Sequence, residues 1–467
     1  MKLFFSILLF TILLGCGSSK DSNKKATLLK ETSINKSLIT TEKKPIKYKR
    51  ELTFYIHGYD KDGEKSHRVF GDDEYDPILD KIRQFGEFKT TQNYPKHGDT
   101  NIVALTSYYG DTPPAYYTNK DIKDIQNAPK GIPRYSLIVA KSIKHLLKET
   151  NTSKINIISV SMGSLVARYM IEKDLEHLSS NKLFKSWISL EGVIAGNIAT
   201  SQDRLLNIVN SIEKQPTEVK QMKYSWIKRE FGSTHHSNSP YLKDIKIAFE
   251  SSTDDRLNQR AITLLTGKPN DGVVSVDDSY FSDNPYIYPH AYFHQTHFSL
   301  TDKKEAWGYV ATFLSSNRRV KIRLKDATIY NLHENKTFVK DFKPAEIVFA
   351  SKVYSPKAMD KWGIDGAIDE RVLDSHILKI FKYYKEDENR STDLNIFDSY
   401  VLNDEDSLEI EITPYELDYE PFYNLYEITG HKDHQKLDTF KTTIPLKNGI
   451  YDISLGEWSG ELEIKVE

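Results

Sequence analysis

The chain has a single cysteine among 467 residues, which excludes intrachain disulfides and any zinc site built on several cysteines. It also lacks net charge: 64 Lys and Arg stand against 66 Asp and Glu, so there is no basic footprint for nucleic acid. Glycine is sparse, with 22 residues, and no Gly-x-Gly-x-x-Gly or Walker-type loop follows any strand-like segment, which argues against a nucleotide site. There is no internal repeat, which argues against a solenoid. What is abundant is aromatic side chain: 28 Tyr, 21 Phe and 5 Trp make up 12% of the chain, enough to fill sizeable cores and to exclude wholesale disorder. The near-neutral average hides an asymmetry. Residues 1–50 carry a net +8, residues 51–317 about −1 and residues 318–467 a net −9.

The apolar run 3–14, broken only by Ser6 and Thr11, is too short to span a bilayer but suits the core of a signal peptide. The sequence Leu13-Leu14-Gly15-Cys16 that ends it resembles a bacterial lipobox. That resemblance implies acylation of Cys16, which becomes the first residue of the mature chain, and a lipid-anchored location in the cell envelope, at the outer membrane or cell surface. A plain signal peptide ending near a cysteine is the alternative. Residues 17–50 hold Ser, Lys, Asn and Thr without a sustained period and read as a disordered tether. As a random coil it would reach roughly 30 Å.

From residue 51 to 317, strand-like and helix-like segments alternate. Strands are expected at 52–56, 101–107, 154–160, 184–190 and 260–266. Helices are expected at 77–88, 133–149, 161–178 and 302–314. In the second of these, Leu137, Ala140, Ile143, Leu146 and Leu147 share one face. Such alternation implies βαβ units and a mostly parallel sheet covered on both faces, an α/β fold. Sites in such sheets lie at the carboxyl ends of strands, which directs attention to the positions just after 56, 107, 160, 190 and 266.

After the strand at 154–160 comes Ser159-Val160-Ser161-Met162-Gly163-Ser164-Leu165-Val166-Ala167-Arg168-Tyr169. A serine on a sharp strand-to-helix turn, with small residues two before and two after, is a nucleophile elbow. Ser159 and Gly163 hold those two places, with serine where glycine is usual. A simple helix N-cap is the bland alternative. Residues 159–169 resemble the elbow of bacterial lipases and esterases of the α/β-hydrolase fold, and Phe54-Tyr55-Ile56-His57-Gly58-Tyr59 is similar to that family's oxyanion strand and His-Gly turn. The resemblance covers about residues 50–317. It implies an α/β-hydrolase domain with Ser161 as nucleophile and the chain order Ser, acid, His. Asp271, in Pro269-Asn270-Asp271-Gly272-Val273, matches the acid, with Asp277, Asp278 and Asp283 as weaker candidates. His297 matches the base, because it stands shortly before the last helix, and His294 is the alternative. The backbone N–H groups of Tyr59 and Met162 are expected to form the oxyanion hole. His57 precedes the serine and is expected to brace its loop.

Residues 192–259 are longer than an ordinary connection and read as a helical cap or lid, or as a plain insertion. They include an apolar helix face (Leu205, Ile208, Val209, Ile212) and a second apolar stretch (Met222, Trp226, Ile227). The aromatic loop 108–117 either lines a pocket or packs against that cap. Residues 318–467 read as short alternating strands, at 320–324, 347–353, 408–412, 440–444 and 462–466, in a β-sandwich-like accessory domain. Acidic clusters there (Asp365, Asp369, Glu370; Glu386, Asp387, Glu388; Asp404, Glu405, Asp406; Asp418, Glu420) invite a calcium reading but have no EF-hand spacing, and solvated loops are the commoner cause. No metal and no cofactor is expected. The leading expectation is a serine hydrolase acting on an ester or lipid substrate through an acyl-enzyme on Ser161. Two alternatives stay open: a surface binding or adhesion lipoprotein with an inactive hydrolase domain, and a peptidase or thioesterase on the same fold.

Overall fold

The computed structural model describes residues 52–59, 89–91, 102–106, 108, 117–150, 152–201, 216–253, 268–283, 288–297, 299–332, 344–372, 380–417 and 435–467. The leader, the tether, the helix expected at 77–88, the strand expected at 260–266 and the apolar helix face at 205–212 lie outside these residues.

Seven strands form the first sheet among the described residues: β1 Leu52–Ile56, β2 Lys89–Thr91, β3 Ile102–Thr106, β4 Ile155–Val160, β5 Phe184–Leu190, β6 Lys246–Ser252 and β7 His290–Phe293. Their spatial order is β2-β3-β1-β4-β5-β6-β7, and every neighbouring pair is parallel. Successive side chains of a strand face opposite ways, so each strand feeds two cores. Phe54, Ile56, Ile155 and Ile157 pack with Val139, Ile143, Leu165 and Met170 on one face. These four come from helices α2 Ile132–Thr150 and α3 Met162–Glu172, which follow α1 Asn119–Asn127. Tyr55, Ile158, Val160, Ile188 and Leu190 pack on the other face against Trp307, Val310 and Phe313. That second face is covered by a helix, Lys304–Ser315. The α/β expectation holds, with helices on both sides.

One correction concerns the range read as a cap. β6 lies inside 192–259, so the sheet resumes at Lys246 and the intervening segment is shorter than supposed. In its described part, helix α4 Thr217–Gln221 meets the start of α2, where Gln221 Oε1 accepts from Ile132 N–H, and α5 Tyr224–Phe231 packs its rings on Tyr169 of α3. Trp226 stacks on Tyr169, and the fully buried Arg168 guanidinium sits 4.1 Å above the Phe231 ring. Arg168 pairs with Glu172 and donates to the carbonyls of Ile194 and Thr234, so its charge is satisfied inside the protein. Asp278 receives Tyr224 Oη–H and Ile198 N–H, which ties the segment to the loop that carries Asp271.

From Arg318 the chain is antiparallel. One sheet runs β12 Glu388–Val401, β8 Arg318–Ile329, β17 Trp458–Val466, β16 Gly449–Ser454. The other runs β10 Asp369–Val372, β9 Ala345–Tyr354, β13 Ser407–Glu416, β14 Gln435–Lys436, with β11 Phe381–Tyr383 on β9 and β15 Phe440–Pro445 on β13. The two face each other through side chains such as Phe349 and Trp458, whose rings meet edge to face at 5.9 Å. The core of this sandwich is continuous with the outer core of the parallel sheet. A buried Arg371–Asp369 pair on β10 donates from Arg371 Nη2 to the His290 carbonyl of β7 at 3.0 Å. Trp362 Nε1 donates to Thr312 Oγ1 at 3.0 Å. Three of the described tail acids answer to basic partners: Glu388 to Arg390, Asp406 to Lys357, Asp369 to Arg371.

Candidate active site

β4 ends in six buried residues, and the chain turns sharply at Ser161, whose backbone sits at φ 51°, ψ −127° before α3 begins at Met162. A non-glycine residue at positive φ costs on the order of 1–3 kcal/mol and persists only where neighbours hold it. They do: Ser161 N–H donates to the Leu190 carbonyl, and its own carbonyl accepts from Ser164 N–H and Val193 N–H, each at 3.0 Å. Gly163 is required by crowding, since a Cβ there would lie 2.3 Å from the His57 carbonyl oxygen. The serines on either side of this turn, Ser159 and Ser164, are both used. Ser159 Oγ accepts from Trp187 Nε1 at 2.8 Å and meets Ser164 Oγ at 3.0 Å, while Ser189 Oγ donates to Ser164 Oγ at 2.8 Å.

Asp271 stands on the turn after β6, with its backbone amide bonded to the Val274 carbonyl. Its Oδ1 accepts from Val273 N–H and Val274 N–H at 2.8 and 2.7 Å. That leaves Oδ2, which accepts from His297 Nδ1–H at 2.7 Å. A neutral imidazole protonated on Nδ1 has Nε2 as acceptor, and Ser161 Oγ lies 2.8 Å from it. Ser161, Asp271 and His297 are all buried, and His297 also donates its backbone N–H to the Asp271 carbonyl. β7 ends at Phe293, and His297, four residues on, is the histidine whose ring reaches Ser161. Asp277 pairs instead with Lys268, and Asp278 serves Tyr224.

Opposite the imidazole lies the turn after β1. A Cβ on Gly58 would come 3.0 Å from Ser161 Cβ, so a side chain there would crowd the nucleophile that this turn approaches. Tyr108 Oη contacts the carbonyl oxygens of His57 and Gly58 at 2.6 and 2.8 Å, and its single proton serves one at a time. His57 Nδ1 donates to the Gly58 carbonyl at 2.8 Å, and its ring stacks on Tyr108 with centroids 4.1 Å apart. The Gly58–Tyr59 peptide is trans, so holding the Gly58 carbonyl from one side aims Tyr59 N–H to the other. Met162 N–H opens α3 and has no acceptor within its own helix. His57 is thus a brace, as expected. Tyr108 is buried against this turn and Tyr135. Residues 109–116 of that loop lie outside the described residues. Changing Tyr108 to Phe removes only the hydroxyl. If it orients the hole, kcat should fall about tenfold, near 1.4 kcal/mol, with KM little changed. Steady-state kinetics on a soluble ester checks this.

Two features were not anticipated. Glu191 follows β5 at φ 47°, fully buried, with Oε2 3.8 Å from His297 Nδ1. Burial and the neighbouring Asp271 charge push its carboxyl well above the ordinary range. Glu250, on β6, is buried likewise and pushed up by burial. Glu191, Asp271 and His297 also form a group of three side chains whose ligand atoms lie within 4.8 Å of one another, whereas the tail's acidic clusters suggested from sequence form no such group among the described residues. The strand-end rule pointed to the position after 190, but Glu191-Gly192 carries no motif that would single it out.

A serine on a strained elbow, bridged by histidine to aspartate at the carboxyl edge of a parallel sheet, is the constellation of serine hydrolases. No protein-family model and no curated protein sequence matches the chain. Solved structures of similar arrangement include the lipase BlEst2 of Bacillus licheniformis. Its mature form is 14% identical, with TM-score 0.36, covering 55% of this chain and 89% of that one. Its propeptide form is 11% identical, with TM-score 0.37, covering 86% and 96%. The metagenomic carboxyl esterase MGS0156 is 13% identical, with TM-score 0.35, covering 63% and 80%. These values are low, and the class rests on the strand order, the elbow and the hydrogen-bonded side chains.

Proposed function

We propose that the chain is a serine hydrolase of the α/β-hydrolase type that cleaves carboxylic esters. The observation that carries this reading is His297 bridging Ser161 Oγ and Asp271 Oδ2 at 2.8 and 2.7 Å. Ser161 attacks the ester carbonyl while His297 Nε2 takes its proton. Asp271 holds the tautomer and stabilises the imidazolium. The developing oxyanion is met by Tyr59 and Met162 N–H; removing one such donor in a site of this kind costs about 2.7–4 kcal/mol. His297 returns the proton to the leaving alcohol, and water, deprotonated by the same imidazole, then hydrolyses the acyl-enzyme. The test is a panel of matched esters, thioesters and amides of graded acyl length. Turnover of esters well above amides supports the reading, and amide preference would move the chain to the peptidase alternative.

In the same proposal, residues 1–16 are a lipoprotein signal, 17–50 a tether, 51–317 the hydrolase part and 318–467 an accessory part. Anchored through Cys16, the enzyme would work near a bacterial envelope membrane on ester or lipid substrates. No helix among the described residues is long and apolar enough to cross a membrane. Cys16→Ser should abolish lipid attachment, since the thioether needs that thiol. Fractionation checks it: a variant that partitions with membranes as before would place the anchor elsewhere.

A further inference from the structure

Three buried acids lie near one another at the carboxyl ends of β5 and β6, and the mechanism above uses only one of them. Asp271 is saturated, with two backbone N–H groups on Oδ1 and the imidazole on Oδ2. Glu191 is different. Neither of its carboxyl oxygens makes a hydrogen bond of full geometry, although the side chain is wholly buried, and the Ser252 hydroxyl is the one neighbour close enough to favour its charged form. Buried polar groups are nearly always satisfied, so an orphan carboxyl calls for an explanation. Its backbone adds to the cost, since φ 47° is a conformation that non-glycine residues avoid. That conformation is held: Glu191 N–H donates to the Glu250 carbonyl at 2.9 Å, beside the paired Leu190 and Glu250 of β5 and β6. The strain and the missing partners converge on one geometric result, a carboxyl oxygen 3.8 Å from His297 Nδ1.

We infer that Glu191 is a second acid for His297, a positioning residue that takes the Nδ1 proton bond when Asp271 cannot. This rests on the triad reading above. Closing 3.8 Å to hydrogen-bond distance takes a shift of about 1 Å, within reach of side-chain torsions. The move gives up no hydrogen bond of full geometry, at most the approach of the Ser252 hydroxyl. Burial first, and the neighbouring Asp271 carboxyl second, push the Glu191 carboxyl well above the ordinary range. Removing Asp271 lifts the second of these causes, and an imidazole that gains charge in the transition state favours the carboxylate form of the Glu191 side chain beside it. Glu250 contributes repulsion from further along β6, and Ser252 lies near the Glu191 carboxyl. With Asp271 absent, Glu191 supplies the acid position from β5 rather than from the turn after β6.

The experiment compares Glu191→Gln, Asp271→Ala and the double variant with the unmodified chain on a soluble ester. Glu191→Gln should lower kcat by less than about fivefold. Asp271→Ala should stay within about 100-fold of the parent instead of the roughly 10⁴-fold loss usual for a lone acid, and the double variant should fall at least another 100-fold, with KM little changed throughout. A second readout separates positioning from structure. The low-field proton resonance of His297 Nδ1–H should persist in Asp271→Ala and vanish in the double variant. Asp271→Asn, which keeps the shape of the turn, replaces Asp271→Ala should the latter unfold. If Asp271→Ala is already as slow as the double variant, or the resonance is lost with Asp271 alone, Glu191 is not an acid for His297. That result would leave the Ser161–His297–Asp271 reading intact. A parent chain inert on every ester and unreactive at Ser161 would overturn that reading, and this inference with it.

Discussion

Ser161→Ala should lose ester turnover by about 10⁴-fold or more while the protein folds as before. The magnitude follows from what the hydroxyl does. Without it, no acyl-enzyme forms, and only the oxyanion donors and the bound geometry remain to accelerate attack by water. The fold should survive because the elbow is held by backbone bonds to Leu190, Ser164 and Val193, none of which uses Oγ. Alanine tolerates the positive φ no better than serine does, so any change in thermal stability should be small. Kinetics on nitrophenyl esters, with a melting curve alongside, is the check. Unchanged turnover would remove Ser161 from the mechanism.

His297→Ala should be as damaging, and His294→Ala should lower turnover by less than about 100-fold, a difference of at least 2.7 kcal/mol between two histidines three residues apart. The asymmetry follows from the two ring nitrogens of His297, each already committed, one to Asp271 and one to Ser161. A single imidazole must do both, because the tautomer that donates from Nδ1 is the one that accepts at Nε2. The double variant Ser161→Ala/His297→Ala should be about as slow as either single one, since the pair acts as a unit. Should His294→Ala prove the worse lesion, the base belongs at His294.

The parts of the fold that were legible share a physical reason. β4 and β5 are buried on both faces and read as continuous apolar runs, so their limits were nearly right from sequence. α2 shows one apolar stripe and was equally plain. β6 was missed because its carboxyl half, Glu250-Ser251-Ser252, is polar yet buried, the usual composition of a strand that ends at a site. β12, the longest strand among the described residues, was missed because register shifts between Ser391 and Leu394 and between Asn395 and Phe397 break its alternation. Ser161, Asp271 and His297, which the structure brings within hydrogen-bond distance of one another in a chain, were legible through the elbow, the Asp-Gly turn and chain order. Tyr108 and Glu191 were not, because their roles come from a residue just past β3, 50 positions from Gly58, and from a buried carboxyl beside an imidazole. No local pattern encodes either.

Labelling with a fluorophosphonate probe, followed by peptide mapping, tests the central claim most directly. The electrophile reports an activated serine with a formed oxyanion hole and needs no knowledge of the natural substrate. The account predicts one covalent adduct, on Ser161, lost in His297→Ala and in heat-unfolded protein. Full ester turnover with Ser161 unlabelled, or an adduct on a different serine, would contradict it.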